Sequence, residues 1–148
     1  MNYIVRLAGP DMDGQAISCL GSQLVELVEL LNTREGGLTW GVFNLEPLSG
    51  AASVALDGND QTWSSDDVVR LGRSKYQFLR GVFVAVRLGV QIPRLRSDID
   101  TEDPVDVDLR GAIAEIRAFD TSFFEVITES MPIAEYLARH YGVQVCQQ

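Results

Sequence analysis

The sequence QFLRGVFVAVRL at residues 77–88 decides the fold, and the rest of the chain can be organised around it. One parity of this stretch holds Phe78, Val82, Val84, Val86 and Leu88, and the other holds Phe83, Ala85 and Arg87, so apolar side chains occur on both. Alternation of this length, rich in β-branched and aromatic residues, is typical of a β-strand. We therefore predict a long strand here and expect a sheet around it.

Other segments supply partners for this strand. Residues 38–46 and 51–57 are separated by the turn sequence PLSG, and residues 113–119 and 123–128 flank the turn DTS, so each pair predicts an antiparallel hairpin. Residues 2–8 alternate apolar and polar side chains and predict one more strand.

Three segments predict helices. The first has an apolar stripe at helical spacing, formed by Ile17, Leu20, Leu24, Val28 and Leu31, and two glycines follow it. A second helix begins at Ser64, where Asp67 completes a capping-box pattern, and runs to about Lys75. A third is capped by Ser130 and ends at Gly142.

The order of these elements defines the fold class. Strands joined by tight turns pair antiparallel, so the helices are expected to cover one face of such a sheet. We predict a single α+β domain over residues 1–148, with a mainly antiparallel sheet of about five to six strands and two to three helices packed mostly on one face.

The charge distribution restricts the class of partner. The net charge is −9, and a segment with no acidic residue at 68–97 is followed directly by an acidic one. An acidic field repels a phosphate backbone, so nucleic-acid binding is disfavoured and a basic partner is favoured. We see no secretory signal and no apolar run long enough for a membrane span, so we expect no membrane partner and a soluble, cytoplasmic protein.

The acidic segment 97–108, SDIDTEDPVDVD, is the most unusual stretch of the chain. Its six carboxylates are Asp98, Asp100, Glu102, Asp103, Asp106 and Asp108. Its start resembles the ligand rhythm of an EF-hand loop, but Asp103 occupies the position of the required glycine, and Leu109 that of the bidentate glutamate. We therefore expect no metal ligand set. A looser divalent-ion site and a merely solvated, exposed loop remain alternatives.

Motifs for catalysis are lacking. His140, the only histidine, lies near the end of the third helix, and Cys19 sits beside Leu20 where core packing is expected. No glycine-rich phosphate loop and no paired-cysteine metal pattern occurs. We expect no catalytic residues, no cofactor and no enzymatic activity.

Two hypotheses from different classes remain. The first is a small acidic protein-binding module, such as a bacterial immunity protein or toxin inhibitor, that neutralises a basic toxin or nuclease by direct binding. The six carboxylates would steer and dock the partner, and Trp63, which lies between polar residues and is the likelier exposed indole, would anchor it. Trp40 is expected to lie in the core.

The second hypothesis is a small-ligand-binding protein or an enzyme whose site is built from arginines and carboxylates on the sheet. Arg80 with Arg87, or Arg117 with Glu125, are its candidate pairs, each proposed to project from one face of the sheet. Edge strands of this length also make a homo-oligomer a further alternative.

Overall fold

The computed structural model describes residues 1–48, 62–91, 101–104 and 108–147. Its strands and helices follow the chain in this order: β1 (Tyr3–Leu7), α1 (Gly9–Met12), α2 (Gly21–Glu35), β2 (Leu38–Pro47), β3 (Trp63–Ser64), α3 (Ser65–Ser74), β4 (Phe78–Arg87), β5 (Ala114–Phe119), β6 (Phe123–Thr128), α4 (Met131–Tyr141) and β7 (Cys146–Gln147).

The strands form one seven-stranded sheet in the order β3-β2-β4-β5-β6-β1-β7, and every neighbouring pair is antiparallel. This confirms the α+β class and the antiparallel sheet, with slightly more strands than the five to six expected. The additional strands, β3 and β7, have only two residues each. The predicted strand at 51–57 lies outside the described residues.

Strand β4 lies inside the sheet and is buried on both sides. Phe83 and Ala85 pack into the core beneath the helices, on what we call the helix face. Val82, Val84 and Val86 belong to a second cluster on the opposite side, which we call the loop face because Leu109 and Ala112 cover part of it. The apolar residues of both parities are therefore explained by burial on both faces.

Phe78 corrects one detail of the predicted alternation. It was expected to share a face with Val82, but it packs in the helix-face core with its ring 5.8 Å from that of Phe83. The register between β2 and β4 shifts near Glu46 and Pro47, opposite this end of β4. Such irregularities break the strict two-residue period of a strand.

Helix α2 begins later than its apolar stripe predicts. Leu24, Val28 and Leu31 are buried as expected, whereas Ile17 precedes the helix and is exposed. The reason is a long-range contact, because the carbonyl of Cys19 accepts a hydrogen bond from the backbone N–H of Phe78 at 2.8 Å. This pairing with the start of β4 keeps the residues from Ile17 to Cys19 outside the helix.

Local capping set the other helix boundaries. The hydroxyl of Ser64 accepts from the N–H of Asp67 at 3.0 Å, and the Asp67 carboxylate accepts from the N–H of Ser64 at 3.1 Å, which confirms the predicted capping box. Ser130 accepts from the N–H of Ile133 at 3.3 Å, and Gly142 ends α4 in the left-handed conformation. Within the described part of the chain, no helix is long and apolar enough to cross a membrane.

Candidate protein-binding surface

A buried arginine on the loop face ties the acidic segment to the sheet. Arg117 lies on β5 and has no exposed side-chain surface. Its guanidinium donates to the carbonyl oxygens of Asp103 at 2.5 Å and Pro104 at 3.4 Å. It also donates to the carboxylate of Glu115 at 3.2 and 3.3 Å. One cation thus binds both the backbone of the acidic segment and a buried carboxylate.

The charges around Arg117 alternate across the strands. Glu125 lies directly opposite Arg117 on β6, and Arg6 lies opposite Glu125 on β1. Glu125 is buried and accepts from Arg6 at 2.6 and 3.2 Å. The Arg6 guanidinium also lies 4.4 Å from the ring centroid of Phe123. Two guanidinium groups and two carboxylates therefore compensate one another where unpaired charges would be costly.

The described ends of the acidic segment are anchored to the loop face. Thr101 is buried, and its hydroxyl accepts from the side chain of Asn44 at 3.0 Å and from the N–H of Gly81 at 3.3 Å. Leu109 is buried in the cluster that contains Val84. The alternative of a merely solvated, exposed loop does not hold at these two points, since Thr101 and Leu109 are buried against the sheet.

The carboxylates between these anchors face outward to different degrees. Glu102 and Asp108 are exposed, and Asp103 is half-buried. Asp108 also accepts from the N–H of Arg110 at 2.9 Å, which fixes its side chain in a local turn. The remaining predicted contacts, Asp98, Asp100 and Asp106, lie outside the described residues.

Trp63 lies elsewhere. It pairs with Trp40 across β3 and β2, and both side chains pack on the helix face, where Trp40 is fully buried as expected. Trp63 is only partly buried and lines a groove of about 260 Å³ with Asp67 and Arg70. The sheet thus separates Trp63 from the backbone that Arg117 holds at Asp103 and Pro104.

The arginine pairs predicted for a ligand site have different outcomes. Arg117 and Glu125 are brought together, but both are buried within the network of the loop face. Arg80 and Arg87 lie on opposite faces of β4, where Arg80 is 3.8 Å from Glu46 and Arg87 is 3.2 Å from Glu35 of α2. Sequence reasoning did not identify Glu115, Arg6 or Thr101 as members of this region. The contact between Glu115 and Arg117 did have a signal in the sequence, because residues two positions apart on a strand share a face.

Cys19 packs in the core, as its position beside Leu20 predicts. Cys19 is fully buried, and its thiol donates to the carbonyl of Phe123 at 3.1 Å. Burial raises the pKa of this thiol to about 11, so it is protonated at neutral pH. His140 is partly exposed, with its Nε2 atom 3.9 Å from Glu26. Among the residues described, no group of three or more His, Cys, Asp or Glu side chains is arranged to hold a metal ion.

Comparisons with protein-family models, with curated proteins and with solved structures find no match to this chain. The site's own geometry and charge are therefore the basis for any functional proposal.

Proposed function

We propose that this protein is a small binding module that recognises a basic protein partner, in the way that an immunity protein or inhibitor neutralises a basic toxin or nuclease in the cytoplasm. The observation that carries the proposal is the attachment of the acidic segment to a buried arginine. Arg117 holds the backbone at Asp103 and Pro104, while the side chains of Glu102 and Asp108 are exposed.

Anchoring of this kind favours binding because it reduces the entropy lost on association. A loop whose backbone is already fixed in the free protein has less conformational freedom to lose when a partner docks. Thr101 and Leu109 provide fixed points on either side of Asp103 in the same way. The carboxylates of Glu102, Asp103 and Asp108 are then presented from a backbone that the sheet holds in place.

Electrostatics supports the choice of a basic partner. The net charge of −9 attracts a positively charged protein over a distance of about 10 Å at ordinary salt and speeds the encounter. Charged contacts at the rim of an interface act mainly through association rate and specificity. The proposed contacts are Glu102, Asp103 and Asp108, with Asp98, Asp100 and Asp106 as additional members from the same segment. Trp63 remains a predicted anchor, but at a separate contact on the helix face.

Binding experiments with neutralised variants test this proposal. Tagged protein is incubated at low salt with an extract of the source cells, and the retained proteins are identified by mass spectrometry. The test variant is E102Q/D103N/D108N, whose amides keep the size and the oxygen acceptors of the acids. The control, E29Q/D66N/E135Q, removes the same charge from exposed positions on α2, α3 and α4.

We expect a basic protein that is retained by the wild type and by the control but lost with the test variant. The purified partner should then bind the test variant at least about tenfold more weakly than the control, and the difference should shrink with added salt. Co-expression should relieve any toxicity of that partner. If no basic protein distinguishes the two variants, the proposal is wrong.

A further inference from the structure

A groove of about 560 Å³ lies on the helix side of the molecule, between the start of α2 and the end of α3. Leu20 and Val25 contribute apolar surface to it, and Tyr76 adds an aromatic ring. This volume is within the range of about 300–1,000 Å³ that is usual for small-ligand sites. The groove is separated by the sheet from the acidic segment, so it requires an explanation of its own.

Backbone contacts fix the shape of this groove. A Cβ atom on Gly21 would lie only 2.0 Å from the carbonyl oxygen of Gly72 and 2.1 Å from that of Lys75, so glycine allows α2 and α3 to approach closely. The N–H of Gly21 donates to the carbonyl of Tyr76 at 3.0 Å. Main-chain packing therefore fixes how closely α2 and α3 approach each other beside the groove.

The charge of the lining is opposite to that of the protein. The chain has 21 acidic and 12 basic residues, yet the described lining contains Arg73 and Lys75 and no carboxylate. Lys75, the only lysine, is half-buried, and its ammonium group has no ion-pair partner among the described residues. Arg73 approaches Glu29 at 3.7 Å, and both side chains are largely exposed.

The local backbone adds to this positive potential. The positive end of the dipole of α2 lies at its first turn, which contains no acidic residue, although the Asp13 carboxylate accepts a hydrogen bond from the Gln23 side chain at 3.2 Å. Ser22, in that turn, lines the groove and can donate a hydrogen bond. Tyr76, which is 64% exposed, lines the groove beside these polar groups. Positive charge and apolar surface therefore lie side by side.

We propose that this groove binds a small amphiphilic anion. Its carboxylate or phosphate head group contacts Lys75 and the first turn of α2, and its apolar body packs against Val25 and the ring of Tyr76. This site is additional to the contacts proposed at Glu102, Asp103 and Asp108 and does not depend on them, because Arg117 holds the backbone at Asp103 on the opposite face of the sheet.

Titrations followed by backbone amide NMR spectra of the whole chain test the proposal. Phenylbutyrate is the anionic probe, and phenylbutanamide is its neutral analogue of nearly equal size. Phenyl phosphate distinguishes the two head groups, since tighter binding of this probe assigns the site to phosphates and tighter binding of phenylbutyrate assigns it to carboxylates. We expect shifts confined to the residues that line the groove, and clearly weaker binding of the amide.

The variant K75M keeps the length of the side chain and removes its charge, and R70M makes the same change at an exposed position of α3 outside the groove. The dissociation constant of the preferred anion should rise about fivefold in K75M, as expected for a partly screened charge contact, and stay unchanged in R70M. Equal binding of the amide, equal effects of the two substitutions, shifts elsewhere in the chain, or no binding of either anion would each overturn the proposal.

Discussion

Replacing Arg117 by methionine should be among the most destabilising single substitutions in this protein. Arg117 is fully buried and donates to Glu115, to Asp103 and to Pro104. Methionine fills most of the same volume, so the loss is mainly electrostatic. The carboxylate of Glu115 stays in a buried position without this cation, and two backbone carbonyls lose a charged donor.

The expected magnitude follows from these contacts. Removal of one partner from a buried ion pair costs about 3–5 kcal/mol, because an uncompensated charge remains. A domain of this kind has a free energy of unfolding of about 5–15 kcal/mol, so R117M should lose a large part of it. The double variant R117M/E115Q should recover part of the loss, since it also removes the buried charge of Glu115.

Urea denaturation followed by tryptophan fluorescence measures both variants. Two further readouts test the structural reason: the segment around Asp103 should be cleaved faster by protease in R117M, and its backbone amides should exchange faster with solvent. A loss below about 1 kcal/mol in R117M would refute the reasoning, since it would equal an exposed ion pair. A double variant less stable than R117M would also contradict it.

Four further predictions concern the cap of α3, the two cysteines and Gly21. Replacing Ser64 by alanine should lower the free energy of unfolding by about 1 kcal/mol in urea denaturation, because the cap of α3 is lost. Hydrogen bonds from Ser64 lower the pKa of the Asp67 carboxyl below its ordinary value of 3.8. The wild type should therefore have a higher free energy of unfolding than D67N above pH 3.8, and this difference should disappear as the pH falls through the lowered pKa. A difference that persists in acid would contradict this reasoning. Ellman's reagent at about pH 8 should label the exposed Cys146 quickly and the buried Cys19 only on unfolding, and equal rates would contradict the burial of Cys19. Replacing Gly21 by alanine should cost about 1–3 kcal/mol in thermal or urea unfolding, because its Cβ meets a carbonyl oxygen of α3, and an unchanged stability would be inconsistent with that contact.

Local chemistry made much of the fold predictable. The alternation at residues 77–88 gave strand β4, and the capping residues Ser64 and Ser130 gave the starts of two helices. These signals depend on side-chain period and on hydrogen bonds between residues three positions apart, which the sequence displays directly. Arg117 and Glu125 were predictable neighbours as well, because each lies four positions from the centre of the short turn that joins β5 to β6.

Contacts between distant residues were decided only by the tertiary structure. The bond from Phe78 to Cys19 delays the start of α2, and no local pattern around Ile17 announces it. The pairing of Trp63 with Trp40 on the helix face and the hydrogen bond from Arg117 to the backbone at Asp103 likewise join separate segments. The sequence by itself determined the class of fold and the concentration of charge at 98–108. The tertiary structure decided which side chain holds that charge in place, because burial and pairing depend on how the sheet and its loops pack.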